Sequence, residues 1–273
     1  MAKSIKNRTG HTVWGIDLNQ ETMNLARMCG AIDARLTEEN LPACDLILVA
    51  VRPQAAIDWV KAHADRISKT AILVDLCGVK RVVVKALAPI AAEHGFSYVG
   101  GHPMAGTHHS GFKYARANLF KNAPMVLVYV GASMILTPDS HTDMPLLETL
   151  KAFFLDIGFA GLTFSTPEEH DRIIAYTSQL AHVTSSSYIK SPEAQQRRGF
   201  SAGSFRDMTR VARLDEDMWT ELFLDDADYL TEELDTLIRH LQEYAAALKA
   251  RDAQKLHDLL KDGREKKAAA GGN

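Results

Sequence analysis

The chain has few cysteines and no long apolar run. Its three cysteines, Cys29, Cys44 and Cys77, are odd in number and fit no metal-ligand spacing, so we expect no metal site and three buried thiols in a reducing cytoplasm. The longest uncharged stretch, residues 122–138, contains a proline and a glycine and therefore indicates a buried strand and a turn, not a membrane span. The first eight residues lack the apolar core of a secretory signal.

The chain also lacks an excess of positive charge. Its 31 basic and 34 acidic side chains give a net charge of −3, which provides no field to hold a nucleic acid or an anionic membrane surface. At 273 residues, with 46% hydrophobic and 24% charged residues, its composition is that of a globular protein of one or two domains. We therefore expect a small-molecule substrate.

Strand-like and helix-like patterns alternate through the first part of the chain. The strand-like runs are residues 12–16, 45–51, 71–75, 97–100, 125–130 and 161–164, and the helical runs are 21–29, 54–64 and 144–157. This alternation predicts an α/β fold with a Rossmann-type doubly wound sheet over residues 1–165.

After Pro167 the spacing is helical, in residues 168–190, 205–213 and 216–251. We predict an all-helical domain over residues 166–265 and a disordered tail over 266–273. Residues 1–8 also form a predicted helix, which Gly10 would cap in the left-handed conformation before the first strand. The chain is thus expected to begin on the crossover helix of a βαβ unit whose first strand lies upstream.

Asp17 closes the first predicted strand, where a Rossmann fold binds the adenosine ribose diol and where an acid favours NAD over NADP. An ordinary turn or N-cap residue would explain the same aspartate. The G-x-G-x-x-G phosphate loop that would decide between them occurs nowhere in the sequence. Two explanations remain: the start of the sequence lies too far downstream, which we favour because the lost strand is central in such a sheet, or the chain is a homologue that no longer binds nucleotide.

Three motifs carry the candidate chemistry. Residues 100–107 read Gly-Gly-His-Pro-Met-Ala-Gly-Thr and place His102, a candidate base, at the carboxyl edge of the sheet. In residues 169–182, ideal helix geometry puts Asp171, Ser178 and His182 on one polar stripe that points at a partner or a ligand. Residues 201–210 hold the segment Phe-Arg-Asp-Met-Thr-Arg, which ends at Arg210.

Together these motifs resemble the prephenate and arogenate dehydrogenase family of tyrosine biosynthesis, in order and in two-domain arrangement, from Met1 to about Leu260. The resemblance implies NAD-dependent oxidative decarboxylation of prephenate to 4-hydroxyphenylpyruvate, with arogenate as the alternative substrate. It implies that His102 takes the proton of the ring hydroxyl and that Arg210 holds a substrate carboxylate. The other residues implied at the substrate site are His182, His170, Asp171 and Ser178, with Asp171 expected to orient Arg210 or a histidine. The implied cofactor-binding residues are Asp17, Val51, Pro53 and Gly78.

The sequence departs from the family pattern at three positions, one of which is Ala181, where a proline is common. Gly78 stands where many members have a serine, and His108 stands where many bacterial members have a glutamate, which weakly favours prephenate over arogenate. By family likeness the apolar spacing of residues 222–248 suits a homodimer interface.

Two other readings stay open. One is a β-hydroxyacid dehydrogenase, which would need a catalytic lysine in the helical domain, where Lys190 is the nearest candidate and lacks that family's motif. The other is a nucleotide-free binding or regulatory protein, which the absent glycine loop supports. Arg210 also has an alternative role: instead of binding a substrate carboxylate, it would form an ion pair with Asp207 on the same helix.

Overall fold

The computed structural model describes residues 1–106, 111–121, 133–137, 144–200 and 203–271. The chain divides into two compact units, and within the described residues the division falls between Asp171 and Arg172, a few residues after the predicted boundary at 166. The predicted strand 125–130 and the motif residues Thr107, His108 and Ser201 lie outside the described residues.

The first unit alternates strands and helices. Its elements are α1 (Ala2–Arg8), β1 (Trp14–Gly15), α2 (Gln20–Met28), β2 (Ala34–Arg35), β3 (Leu46–Val49), α3 (Pro53–His63), β4 (Ile72–Asp75), α4 (Arg81–His94), β5 (Ser97–Pro103), β6 (Ser133–Thr137), α5 (Met144–Asp156), β7 (Gly161–Phe164) and the first half of α6 (Pro167–Ile174). Strands β3 to β7 form one sheet in sequence order, parallel except for the antiparallel pair β5 and β6. Strands β1 and β2 form a separate parallel pair.

Helices cover both faces of the five-stranded sheet. On one face, buried side chains of α3 and α4, such as Val60 and Leu87, pack against Leu73 of β4. On the other face, Ile5 of α1 and Phe154 of α5 share a core with strand residues of β4 and β5. A strand that is buried on both faces needs a continuous apolar run, which β4 has. The Rossmann-type α/β prediction is therefore confirmed.

Three local features of the first unit differ from what the sequence predicts. Gly10 does not cap α1 in the left-handed conformation, because the helix ends at an extended Thr9 whose hydroxyl donates to the carbonyl of Ile5 at 2.8 Å. The sequence predicts the strand of the uncharged stretch at residues 125–130, whereas the strand that the structure describes there is β6, which runs antiparallel to β5, a pairing that needs no crossover helix. Cys29 is exposed at the end of α2 and Cys44 is half-buried, so only Cys77 is the buried thiol we expected.

The regular elements in the described residues of the second unit are all helices. It continues α6 with a π-helical turn, Ala175–Leu180, and then contains α7 (Ala181–Tyr188), α8 (Gly203–Thr209), α9 (Glu216–Asp225), α10 (Ala227–Ala250) and α11 (Ala253–Ala269). The predicted disorder from residue 266 is wrong as far as Ala269, because α11 continues there and Lys266 pairs with Asp262 one turn earlier. No helix in the described part of the chain is long and apolar enough to cross a membrane.

Candidate active site

His102 lies at the carboxyl edge of the sheet because β5 extends beyond its neighbour. Asp75, the last residue of β4, pairs with Gly100, whereas β5 continues to Pro103 and pairs His102 with Ile135 of β6. The imidazole is only partly buried, so part of it remains accessible. Open α/β sheets bind their ligands at this edge, as the sequence predicts for His102.

A second histidine stands behind the first. Nδ1 of His102 lies 2.9 Å from Nε2 of His170, and Nδ1 of His170 lies 2.7 Å from Oδ1 of Asp171. His170 and Asp171 belong to the first half of α6, whose start Thr166 caps by accepting the N–H of Glu169. The three side chains thus form one continuous line of hydrogen bonds inside the first unit.

Asp171 ends this line on the N-terminus of α4. The backbone N–H of Lys80 donates to its Oδ1 at 2.7 Å, and the backbone N–H of Arg81 donates to its Oδ2 at 2.8 Å. The guanidinium Nε of Arg81 adds a contact of 3.3 Å. Lys80, the N-cap residue of α4, provides no cap with its own side chain, so Asp171 supplies the capping carboxylate from elsewhere in the chain.

A buried ion pair supports the same loop. The ammonium of Lys80 binds Oδ1 of Asp75, and both side chains are completely shielded from solvent. Asp75 also accepts the hydroxyl of Tyr98 at 2.8 Å and the backbone N–H of Cys77 at 3.0 Å. Sequence reasoning missed Lys80, Asp75 and Tyr98 as site residues, although a lysine and an aspartate beside a predicted strand end were visible in the sequence.

Burial and neighbouring charges set the protonation of this group. Burial, with help from His170 and Lys80, holds the pKa of His102 well below that of an ordinary histidine. Burial lowers the pKa of His170 as well, and Asp171 opposes that shift. For Asp171, burial raises the pKa, but the hydrogen bonds from His170, Arg81 and Lys80 outweigh it and leave the pKa lowered. His102 is therefore neutral, and Asp171 ionised, at neutral pH.

Three of the four residues predicted to bind NAD are at least partly accessible, and Pro53 is the exception. Asp17 is exposed after β1, and one of its oxygens accepts the N–H of Asn19 at 2.7 Å. Val51 is half exposed after β3, and its carbonyl accepts the Cys77 thiol at 3.5 Å, next to the half-buried Gly78. An exposed carboxylate suits a ribose diol, and an uncovered apolar side chain suits a nicotinamide ring. Pro53 is instead buried as the first residue of α3.

The second unit holds a separate cluster around His182. Its Nδ1 lies 2.7 Å from the carbonyl of Ser178, and its ring lies against Trp219 with 4.0 Å between centroids. Burial lowers the pKa of His182, the Ser178 carbonyl opposes this, and the positive charge of Arg210 adds to the lowering. Arg210 itself is exposed.

One expectation about this cluster is wrong, and one alternative is not observed. The helix does not keep its α geometry between Asp171 and His182, because residues Ala175–Leu180 form a π-helical turn that changes the angle per residue. Asp171 consequently belongs with the α4 N-terminus and not with Ser178 and His182. The alternative ion pair between Arg210 and Asp207 is also not formed, since Asp207 contacts Arg206 at 3.8 Å.

His170 is not placed for the direct substrate contact that family likeness implies, whereas Asp171 contacts a histidine, which is one of the two roles expected of it. His170 and Asp171 have fully buried side chains, and the ring nitrogens of His170 are engaged by His102 and Asp171. Within the first unit they stand behind His102.

Comparisons with known proteins agree on one family. The family model "prephenate dehydrogenase, nucleotide-binding domain" matches residues 1–160, and "prephenate dehydrogenase, dimerization domain" matches residues 166–262. The prephenate dehydrogenase of Lactococcus lactis is 28% identical over 253 residues, which are 90% of this chain and 67% of that protein. The cyclohexadienyl dehydrogenase of Zymomonas mobilis is 30% identical over 231 residues, 82% of this chain and 75% of that protein.

A solved structure is similar over nearly the whole chain. The prephenate dehydrogenase of A. aeolicus, in complex with hydroxyphenyl propionate and NAD+, superposes with a TM-score of 0.83 at 25% identity and covers 99% of this chain and 93% of that one. Because the two family models together span both units, the β-hydroxyacid dehydrogenase reading is set aside. The chain belongs to the prephenate dehydrogenase family.

Proposed function

We propose that the chain catalyses the NAD-dependent oxidative decarboxylation of prephenate to 4-hydroxyphenylpyruvate and carbon dioxide. The observation that carries this proposal is His102: a neutral, partly accessible imidazole at the carboxyl edge of the sheet, with Nδ1 held by His170. Family membership supplies the reaction, and the imidazole supplies the base that the reaction needs.

His102 first accepts the proton of the substrate's ring hydroxyl and later returns it to the same oxygen. As the hydroxyl-bearing carbon loses its hydride, the hydroxyl oxygen becomes a carbonyl and gives its proton to His102. Loss of the carboxylate as carbon dioxide then leaves an electron pair that makes the ring aromatic and returns negative charge to that oxygen. His102 gives the proton back, so the phenol forms and the base is regenerated.

The cofactor is bound by residues at the ends of β1, β3 and β4. Asp17 would hold the adenosine ribose, and Val51 and Gly78 would border the nicotinamide, whereas Pro53 only shapes the start of α3. When bound, NAD supplies the acceptor for the substrate hydride. The carboxylate of Asp17 disfavours a 2′-phosphate, so we expect NAD to be preferred over NADP.

Arg210 in the second unit binds a substrate carboxylate. Its guanidinium is exposed and does not pair with Asp207, and a planar fork with several donors matches a carboxylate with two charge-assisted hydrogen bonds. His182 and Ser178 are further substrate-binding residues of this unit, with the ring of His182 oriented by the Ser178 carbonyl and by Trp219.

We further propose that the enzyme is a cytoplasmic homodimer joined through its helical unit. The dimerization-domain match covers this unit, and α10 leaves Ile238, Leu241 and Leu248 exposed in the single chain. The three cysteines are all free thiols, as in a reducing compartment.

The test is a substrate and cofactor panel with the purified protein. Prephenate and arogenate are each offered with NAD and with NADP, and reduced nucleotide and aromatic product are measured together. We expect NADH and 4-hydroxyphenylpyruvate in equal amounts from prephenate. Higher kcat/KM for arogenate would make the chain an arogenate dehydrogenase, an alternative that its likeness to a cyclohexadienyl dehydrogenase supports. No product from either substrate would favour the nucleotide-free homologue.

A further inference from the structure

The hydrogen bonds behind His102 can run in only one direction. An ionised carboxylate accepts hydrogen bonds and donates none, so the Nδ1 of His170 that contacts Asp171 carries a proton. In neutral His170 the other nitrogen, Nε2, then has a lone pair and must accept from Nδ1 of His102. Neutral His102 is consequently protonated on Nδ1, and its Nε2 is the basic nitrogen.

This order depends on Asp171 being ionised, and α4 ensures that it is. Four donor groups converge on its two oxygens: the backbone N–H of Lys80, the backbone N–H and the Nε of Arg81, and Nδ1 of His170. The N-terminus of a helix carries partial positive charge, which favours a carboxylate there. If Asp171 were protonated, its own hydrogen would face at least one of these donors, and that hydrogen bond would be lost.

We propose that His170 and Asp171 are positioning residues that fix His102 in its basic tautomer and take up the proton that His102 accepts. The proposal rests on the proposed function for the source of that proton. It gives these two residues a role that requires no contact with the substrate, in agreement with their complete burial.

The proton movement is balanced by a second transfer. The substrate hydroxyl gives its proton to Nε2 of His102 as Nδ1 of His102 gives its own proton to Nε2 of His170, 2.9 Å away. His102 is neutral again but now carries hydrogen on Nε2, so it donates to the new carbonyl oxygen of the substrate. His170 holds the positive charge next to Asp171, and both transfers reverse when the phenol forms.

The surrounding charges favour His170 as the place for that proton. Asp171 lies against His170 and attracts the charge, whereas the nearby ammonium of Lys80 is already paired with Asp75. Arg81, the remaining charged group at this end of α4, contacts Asp171 on the oxygen away from His170. Protonated His170 and ionised Asp171 would thus form a buried, hydrogen-bonded ion pair.

The direct test is the tautomer of each histidine in the wild-type protein, which needs neither substrate nor turnover. In 15N-histidine-labelled protein at neutral pH, the protonated and unprotonated nitrogens of an imidazole resonate in separate ranges. Spectra of His102→Asn and His170→Asn assign the signals. We expect hydrogen on Nδ1 of both His102 and His170. Hydrogen on Nε2 of His102 in the free protein would overturn the proposal.

The variant Asp171→Asn should reverse the direction of the hydrogen bonds that join residue 171, His170 and His102. Oδ2 faces two donors of Arg81, whereas Oδ1 faces one fixed donor, the N–H of Lys80, and the adaptable Nδ1 of His170. The amide oxygen will therefore take the Oδ2 position, and the amide NH2 will donate to His170. That moves the hydrogen of both histidines to Nε2 and removes the base.

For Asp171→Asn we expect kcat to fall by about 100-fold or more with KM little changed, and the His102 signals to show hydrogen on Nε2. Asp65→Asn is the matched control, because it alters an exposed aspartate that contacts His94 at 3.2 Å. It should change neither kcat nor the tautomer of His102. A wild-type tautomer in Asp171→Asn with reduced kcat would contradict the positioning role. If the variant does not fold by circular dichroism, the wild-type tautomers decide alone. A wild type with the expected tautomers that turns over neither substrate would refute the proposed function and leave the positioning intact.

Discussion

The two units hold their histidines in different ways. In the first unit, His170 is fully shielded, and its two ring nitrogens are engaged by side chains, one of which is anchored on the N-terminus of α4. In the second unit, His182 is partly exposed and is oriented by a backbone carbonyl and an aromatic ring. Both lie in the same sequence motif, residues 169–182, which gives no sign of this difference.

The difference separates a proton-transfer group from a binding surface. Proton transfer needs a base with a defined tautomer, and the buried side-chain contacts of the first unit provide one. Recognition of a carboxylate needs exposed donors, such as Arg210 in the second unit. We therefore expect substitutions in the first unit to change kcat or stability and substitutions in the second to change KM.

The largest effect is expected for His102→Asn, which removes the base. General-base catalysis contributes about 10²- to 10⁴-fold, so kcat should fall by that factor while KM stays near its wild-type value. Steady-state NADH formation measures both constants. His63→Asn is the control: it alters the last residue of α3, a half-buried histidine that stacks on Trp59, and should leave kcat and KM at their wild-type values. Unchanged turnover in His102→Asn would remove this residue from the mechanism.

Next comes the buried pair of the first unit. Lys80→Met leaves Asp75 as a buried charge without its cation and should lower the free energy of unfolding by about 3–5 kcal/mol. Lys6→Met, which breaks the partly exposed pair with Asp33, should cost about 0–1 kcal/mol. Urea denaturation compares the two variants. Equal losses would show that burial does not distinguish these ion pairs.

In the second unit, Arg210→Ala should raise KM for prephenate by about 10- to 100-fold and leave kcat nearly unchanged. This factor corresponds to the loss of about 1.5–3 kcal/mol, the contribution of hydrogen bonds to a charged group. Arg210→Lys should lie between, because the charge remains and the fork is lost. Arg213→Ala alters another exposed arginine and serves as the control. A fall in kcat alone would argue against carboxylate binding by Arg210.

The smallest expected effect is a decrease in the free energy of unfolding at acidic pH. The pKa values of His102 and His170 are lowered in the folded protein, so between those values and about 6.5 the unfolded chain binds more protons than the folded one. Stability from this source is complete above about pH 6.5 and is lost as the pH falls below it. Unfolding free energies measured at about pH 7.5 and pH 5.5 should show the loss, and His102→Asn should reduce it. An equal loss in His102→Asn would assign it to other groups.

The sequence predicts what depends on local pattern. The alternation of apolar runs locates most strands and helices, because parallel strands covered on both faces must be continuously apolar, as β4 is. The position of His102 at the sheet edge follows from the strand before it. Short pieces such as β2, with two residues, carry too little pattern to predict.

What the sequence does not predict depends on contacts between distant residues. Asp171 binds backbone N–H groups, which every residue except proline has, so no side-chain signal marks Lys80 and Arg81 as its partners. Lysine is rarely buried, and nothing local indicates that Lys80 is. The π-helical turn at Ala175–Leu180 changes which residues of α6 and α7 share a face, and ideal geometry misses it.

The central claim is that His102 carries the chemistry and contributes little to binding. Calorimetric titration of prephenate into His102→Asn in the presence of NAD tests it most directly, because it measures binding in a protein that lacks the base. We predict a Kd close to the wild-type KM for prephenate, with NADH formed about 10²- to 10⁴-fold more slowly than in wild type. A protein that is folded but no longer binds prephenate would contradict the claim and make His102 a binding residue.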